Sequence, residues 1–280
     1  NTKMYLHPAT QRSITELKSM GVEILETASG VLACGEVGYG RLLEPDLMYN
    51  EVVSRIGTKA SVTPKASNKK AYKVLITSGG TQEPIDDVRV ITNKSTGKTA
   101  STLADQFING GFDVTYLCAE NAVRPLLTTL TETFVTYKDL DEKLTLLLKN
   151  QYDLIIHSAA VSDYSVAGEG VSGKIDSSAE VIEIKLTKNP KLIEKIKKLS
   201  PQSSLVGFKL TSKAADDDIQ AKVNSLFEKA HCDYVVHNDW KQVHTANHVF
   251  NLYSKNETQK NLSLTDLSYA LMTISNKESL

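Results

Sequence analysis

From residue 73 onward, short apolar runs of strand length alternate with stretches of helix length, and no other feature constrains the possible fold so strongly. Candidate strands are 73–77, 112–118, 152–158, 181–187, 204–210 and 233–237; candidate helices are 98–110, 138–149, 190–199, 215–230 and 263–275. The strands are near-continuous apolar runs, as expected when both faces of a parallel sheet are covered. Thr99, Leu103 and Phe107 stripe the first helix, and Gly110-Gly111 stops it. Segment 246–262 predicts two short strands around an Asn256-Glu257 turn. Repeated β–α units predict an α/β fold: a doubly wound, mostly parallel, Rossmann-like sheet of the dinucleotide-binding or ribokinase-like kind, with ligands outside the strand carboxyl ends.

The first connection carries the most information. Val74 to Ile76 runs into Thr77-Ser78-Gly79-Gly80-Thr81, a long polar stretch follows, and a second small-residue turn, Ser95-Thr96-Gly97, opens the helix. That is the outline of a phosphate-binding strand–loop–helix unit. The loop is far longer than a dinucleotide turn needs and holds Glu83, Asp86, Asp87, Arg89 and Asn93. A loop this polar at a helix N-terminus points to chemistry rather than to a connector.

The 280 residues are 41% hydrophobic with a net charge of −1, enough for a sizeable core in one large or two small domains. The charge gives no electrostatic reason to expect nucleic acid. Apolar runs such as Leu154-Ile155-Ile156 are strand-sized, so no membrane span is expected. Cys34, Cys118 and Cys232 are widely spaced without a CxxC, a usage that fits a reducing cytoplasm. No signal peptide is visible, and a chain starting at Asn1 is expected to be a piece of a longer polypeptide. Residues 52–82 lack Asp and Glu but hold Arg55, Lys59, Lys65, Lys69, Lys70 and Lys73. The small polar stretch 57–70 within them reads as an interdomain linker. A nucleic-acid arm is the alternative, but no aromatic stacking partners accompany it.

Three familiar readings fail. Asn93 to Thr99 resembles the tail of a Walker A loop, but Thr92 stands where its first glycine belongs. A nicotinamide dehydrogenase could use Glu120 on a ribose, yet the glycines do not space as GxGxxG and no Tyr has a Lys four residues on. Cys232, His237, His244 and His248 have the composition of a zinc set, without a CxxC or a clear helical HxxxH; core or solvated histidines are the simpler reading.

Successive strand ends carry small and polar residues, as nucleotide sites do: Gly79-Gly80-Thr81; His157-Ser158-Ala159 through Asp163; Lys188-Asn189-Pro190; Phe208-Lys209; and His237-Asn238-Asp239. Gly168, Gly170 and Gly173 surround Lys174, the composition of a mobile flap with one cation. Lys222 and Lys229 share a helix face. Singly, each has a plain structural reading: Asn189 as a helix cap, the lysines as a solvated face.

In this order and spacing, the residues resemble the bacterial phosphopantothenoylcysteine synthetases, ligases of coenzyme A biosynthesis, over 73–280. Gly79-Gly80-Thr81, Glu83-Pro84-Ile85-Asp86 and Val88 through Gly97 carry the most specific likeness; Ala159 through Tyr164, Gly173-Lys174-Ile175, Lys188-Asn189-Pro190 and Val206 through Lys209 support it. Ala100 and His237 depart from the usual Gly and Ala. Residues 1–52 are similar to the C-terminal part of flavin-dependent phosphopantothenoylcysteine decarboxylases: Asn1 to Tyr5, Pro8 to Arg12, and Ala33 to Arg41 with Cys34. The expected domains are a decarboxylase remnant over 1–52, a basic linker over 53–72 and a synthetase domain over 73–280. FMN would belong to the missing N-terminal half, so Asn1 and Cys34 would be functional residues without a flavin, and no decarboxylase activity is expected.

The resemblance implies that CTP activates 4'-phosphopantothenate as an acyl-cytidylate, which the amine of cysteine attacks, with Mg2+ on the triphosphate. Asn93 and Lys174 would be catalytic. Gly79, Gly80, Thr81, Ser95, Gly97, His157, Ser158, Ala159, Asp163, Lys188, Asn189, Pro190, Phe208, Lys222 and Lys229 would surround the nucleotide. Arg89 and Asn238 would meet substrate, an Arg89–Asp86 structural pair being the equal alternative. Asp163 is a candidate for ribose or metal. A homodimer with small-molecule substrates is implied, without nucleic acid or membrane partners. CTP over ATP comes from the resemblance alone. A non-catalytic nucleotide-binding or flavoprotein partner, or an NAD(P) oxidoreductase, is the alternative.

Overall fold

The computed structural model describes residues 2–25, 27–31, 37–43, 48, 72–168, 173–176, 178, 180–243, 245 and 248–277. Asn1, Cys34 and nearly all of the expected linker lie outside them. The chain forms two compact units, Asn1–Lys69 and Lys70–Leu280.

In the first unit, helices α1 (Thr2–Tyr5) and α2 (Pro8–Ser19) precede an antiparallel pair, β1 (Ala28–Val31) and β2 (Val37–Arg41). His7 caps α2 through Nδ1, which accepts the Ala9 N–H at 3.2 Å, and Pro8 starts the helix where no N–H is needed.

The second unit is built on an eight-stranded sheet. Its strands are β3 (Lys73–Ser78), β6 (Asp113–Ala119), β7 (Leu130–Phe134), β8 (Leu154–His157), β11 (Ser204–Thr211), β12 (Tyr234–Asp239), β13 (Phe250–Tyr253) and β14 (Thr258–Leu262). Across the sheet they stand in the order β14-β13-β12-β11-β8-β3-β6-β7. From β7 to β12 every neighbour is parallel, and β13 and β14 add antiparallel edges. This is the doubly wound Rossmann-like order, and the chain reverses direction across the sheet between β3 and β8. Val74, Leu75 and Ile76 on β3 and Leu154, Ile155 and Ile156 on β8 are completely buried, because helices cover both faces.

Those helices are α3 (Lys98–Asn109), α4 (Tyr137–Leu147), α5 (Ile193–Leu199), α6 (Asp216–Lys229) and α7 (Leu264–Lys277). On α3, Leu103, Ala104 and Phe107 turn into the core, and Asp105 is tied by the Leu126 and Leu127 N–H groups. Thr136 caps α4 by accepting the Asp139 N–H.

Two small antiparallel pairs stand outside the main sheet: β4 (Gln82–Pro84) with β5 (Val90–Thr92), and β9 (Tyr164–Val166) with β10 (Leu186–Lys188). The first shows how the long loop after β3 is built, as a hairpin; the second corrects an expectation. Segment 181–187 is not a sheet strand: Val181 is 78% exposed, Ile182, Ile184 and Leu186 are also exposed, and pairing begins only at Leu186.

Candidate active site at the switch point

The carboxyl ends of β3 and β8 open onto the place where the strand order reverses, the position at which such sheets leave a crevice. Their backbones are stitched together there: the Ala160 N–H donates to Gly79 O at 2.7 Å and the Thr81 N–H donates to Ala160 O at 3.3 Å. Gly79 and Gly97 both adopt the left-handed conformation, with φ of 81° and 76°. A Cβ on Gly79 would stand 2.6 Å from the Ala119 Cβ, and one on Gly97 2.6 Å from the Ser78 hydroxyl. Only glycine allows both turns to close on each other. The result is an α3 N-terminus whose cap, Gly97, has no side chain to satisfy it, with Ser95 and Thr96 before it and the Lys98 N–H donating to Thr96 Oγ1 at 3.4 Å; such a helix end attracts anions.

A cavity of about 780 Å³ opens from this turn, within the range of small-molecule sites. One wall is Asn93 to Ala100; the facing wall is His157 to Asp163. The Asn93 amide donates to Ala160 O at 3.1 Å across the gap. The rest of the lining includes Pro190, Lys191, Phe208, Lys209, Lys222 and Lys229, with Asn238, Trp240, His248 and Phe250. A smaller cavity of about 430 Å³, lined by Gly80, Asn121 and Trp240, adjoins the Asn93–Thr96 turn.

The electrostatics of the cavity are basic. Lys209 sits half-buried, and burial together with the charges of Lys191 and Lys222 pushes its pKa down, against the pull of Asp163. A bound polyanion relieves such crowding. Asp163 is paired with Lys191. His157 is buried, with Nδ1 2.9 Å from the Thr77 hydroxyl, whose oxygen accepts the Ala159 N–H. Burial lowers the His157 pKa to about 4, so the ring is neutral near pH 7.

Of the residues singled out in the sequence, Asn93, Ser95, Gly97, His157, Ser158, Ala159, Asp163, Pro190, Phe208, Lys222, Lys229 and Asn238 line this one cavity. Gly80 lines the adjoining one, and Gly79 lies behind the turn. Others are used elsewhere. Thr81 is buried and its hydroxyl accepts the Ser162 N–H at 3.0 Å. Asn189 does not cap α5, which begins at Ile193; its amide bonds Ser162 O and the Ser165 hydroxyl, which in turn donates to the buried Glu83. Lys188 is exposed on β10, opposite Tyr164. Arg89 bonds Asp86 and Ile175, so the structural pair is formed, with 42% of the Arg89 side chain exposed. Lys174 is exposed and outside the lining. His237 is buried with Nε2 2.9 Å from the Thr211 hydroxyl, so it supports the cavity from behind while its neighbour Asn238 faces in and bonds His248 at 3.0 Å.

Sequence reasoning passed over Lys191, Trp240 and Phe250, and named Lys209 at a strand end without giving it a role. Lys191 and Lys209 each directly follow a residue chosen at a strand or loop end, and that position was the available signal. Asp163 and Glu194 are the carboxylates among the described lining residues, and among the described residues no three metal-ligating side chains converge.

Residues 69–274 match the family described as "DNA/pantothenate metabolism flavoprotein C-terminal domain". The coenzyme A biosynthesis bifunctional protein CoaBC of Haemophilus influenzae is 32% identical over 241 residues, 85% of this chain and 57% of that protein. The chain thus spans a little over half the length of the curated relatives it matches. Among solved structures, the DNA/pantothenate metabolism flavoprotein from Streptococcus pneumoniae superposes with a TM-score of 0.67 at 28% identity, over 74% of this chain and 100% of that one. A Cab2 mutant in complex with phosphopantothenate-cysteine shares the fold, with a TM-score of 0.62 at 19% identity over 85% of this chain and 97% of that one. By the extent of the match over its second unit, the chain belongs to the DNA/pantothenate metabolism flavoprotein C-terminal domain family.

Proposed function

We propose that this chain is the ligase part of a coenzyme A biosynthetic enzyme, joining 4'-phosphopantothenate to cysteine at the expense of CTP. The observation that carries the reading is that one cavity at the switch point is lined by the α3 N-terminus, with its glycine cap, and Asn93 together with Lys209, Lys222 and Lys229. That arrangement suits a triphosphate and an acyl group meeting at its α-phosphate. The name of the Haemophilus relative supports the pathway.

In the first step a carboxylate oxygen of the substrate forms a bond to the α-phosphorus, the bond to the β-phosphate breaks, and pyrophosphate leaves with the electron pair. The N-terminus of α3 holds phosphate oxygens through backbone N–H groups, while the lysines offset the charge that develops. Phe208 offers a face to the base. In the second step the amine of cysteine attacks the acyl carbon and CMP departs. The Asn93 amide, already donating toward Ala160 O, turns its N–H to the acyl oxygen as that oxygen gains charge. Lys174 serves the first step. Mg2+, when bound, neutralises phosphate charge and takes oxygen ligands. Asp163, which pairs with Lys191, is the cavity carboxylate that would join it by giving up that partner.

The exposed apolar row Val181, Ile182, Ile184 and Leu186 supports a homodimer. Free, buried Cys118 and Cys232 fit a cytoplasmic setting, and no helix among the described residues is long and apolar enough to cross a membrane. The deciding experiment is pyrophosphate release from CTP or ATP with phosphopantothenate, with and without cysteine. Release with CTP, and ligated product only when cysteine is added, is the expected result. No release with either nucleotide overturns the reading.

A further inference from the structure

The hairpin β4–β5 explains the length of the loop after β3, and its tip does something a phosphate cradle does not. The Ile85 N–H donates to Arg89 O at 2.8 Å, closing the tip and turning its acidic side chains toward the backbone at 173–175. There the Gly173 N–H donates to Asp87 Oδ2 at 2.8 Å, and the Asp87 N–H returns a bond to Gly173 O at 3.3 Å. The Ile175 N–H donates to Asp86 Oδ2 at 3.0 Å, and Arg89 Nη2 donates to Ile175 O at 2.8 Å. The two residues flanking Lys174 are thus held by both their N–H and C=O groups.

The clasp is itself braced. The Asp86 side chain has no exposed surface, accepts the Val88 and Arg89 N–H groups at 2.9 and 2.8 Å, and pairs with the Arg89 guanidinium. Lys174, by contrast, is exposed, and among the described residues its ammonium meets no hydrogen-bond acceptor or carboxylate. A backbone fixed on both sides beneath an unpartnered cation is the arrangement of a group delivered to an anion. Long side chains lose entropy when they are ordered, so anchoring the main chain first leaves only the side chain to order on binding.

We infer that Asp86, Asp87 and Arg89 are positioning residues that fix the main chain around Lys174 and so set where its ammonium meets the nucleotide phosphates. The inference rests on the ligase reading above, in which Lys174 serves the nucleotidyl step. It gives Arg89 a role through Lys174 instead of through direct contact with the substrate anion. It also separates Asp87, which is exposed and holds Gly173 alone, from Asp86, which is buried and also shapes the hairpin tip.

The test is a double-mutant cycle on pyrophosphate release, with CTP and phosphopantothenate, on the full chain. Asp87→Ala and Arg89→Ala are each expected to lower kcat about tenfold to a hundredfold, the cost of a misplaced catalytic group, with the KM for CTP little changed. Asp87→Asn, which keeps an acceptor oxygen, is expected to recover most of the loss. Each clasp variant combined with Lys174→Ala is expected to be no slower than Lys174→Ala alone, because contacts that act through one group are not additive. Amide exchange at Gly173 and Ile175 reads the clasp directly and should quicken in the variants while the rest of the sheet stays protected. If the wild-type chain releases no pyrophosphate, the ligase reading fails and the inference falls with it. If the wild type is active while the clasp variants match its rate, or their losses add in full to that of Lys174→Ala, the positioning role is overturned and the ligase reading stands.

Discussion

The switch-point cavity and the β4–β5 hairpin tip lie on one stretch of chain, residues 82–100, and both are rich in polar groups, yet they spend those groups in opposite ways. At the hairpin tip Asp86, Asp87 and Arg89 are each bonded to other parts of the protein. Around Ser95, Thr96 and Gly97 the turn closes through glycine, so the α3 N-cap has no side chain with which to satisfy the helix's first N–H groups, and the Lys98 N–H reaches Thr96 Oγ1 at 3.4 Å. Saturated polar clusters fix geometry; unsaturated ones bind ligands. Asn93, between the two, shares both characters, with one amide bond to Ala160 O and a face on the cavity.

Asn93→Asp should therefore give the largest effect. It replaces a donor with a negative charge opposite a carbonyl, just where the acyl oxygen gains charge. Removing an oxyanion donor costs on the order of 100- to 1,000-fold. The expected outcome is near-normal pyrophosphate release with an acyl-nucleotide intermediate that accumulates even at saturating cysteine, followed by quenched-flow chromatography. Ligated product at the wild-type rate would move Asn93 to the saturated, structural class.

Gly79→Ala comes next and acts on stability. The new methyl group would meet the Ala119 and Ala122 Cβ atoms at 2.6 and 2.7 Å at a φ of 81°. Left-handed strain and overpacking together are expected to cost about 3 kcal/mol. At Gly111, φ is 83° but nothing lies within 4 Å of a new Cβ, so Gly111→Ala should cost about 1 kcal/mol. Thermal melts of both variants separate close approach from backbone strain. Equal losses would mean that the two glycine turns are not packed as tightly as their Cβ positions indicate.

How much of this was legible in the sequence follows the same division. The parallel core could be read because Val74–Ile76, Leu154–Ile156 and Leu205-Val206 are buried on both faces and so appear as unbroken apolar runs. The cavity could be read because ligands gather at the carboxyl ends of such strands. β7 escaped notice because, as an edge strand, it buries only Phe134 among its own side chains. Segment 181–187 misled because Val181, Ile182, Ile184 and Leu186 have strand composition but stand outside the main sheet, with Leu186 alone of them paired, to Val166 on β9. Asn189 and Arg89 could not be assigned, since the bonds that occupy them reach Ser165 and Ile175, far away along the chain. Whether a polar side chain is free or committed is a tertiary fact.

Lys209 offers a test on the unsaturated side. Its lowered pKa reflects burial first and then the crowding of Lys191 and Lys222, so the cluster is strained without an anion. Lys209→Met keeps the packing and removes one charge. Nucleotide affinity is expected to fall about tenfold, or about 1.4 kcal/mol, with a weaker dependence of affinity on salt. Isothermal titration with CTP at two ionic strengths checks both. An unchanged affinity would mean that the cluster is relieved by Asp163 alone.

The smallest effect concerns His157, a buried residue at the cavity wall. Its ring is buried against Thr77, and burial lowers its pKa from 6.5 to about 4. Between those two values the unfolded chain takes up a proton that the folded protein refuses, so stability falls as pH drops below 6.5 and the loss is complete below about 4. Between pH 7 and pH 5.5 the linked loss is about 1 kcal/mol. Asp86 behaves differently. Burial would raise its pKa, but the N–H groups of Ile175, Val88 and Arg89 and the Arg89 charge outweigh that and hold it below the usual range. Its contribution is present above the ordinary carboxylate pKa and fades only in stronger acid. Urea melts across pH 7 to 5 should therefore show a steeper decline for the wild type than for His157→Gln, while Asp86→Asn shifts both ends of that range alike. Parallel curves for wild type and His157→Gln would show that the ring is reached by water and belongs with the ligand-binding groups of the cavity, not with its frame.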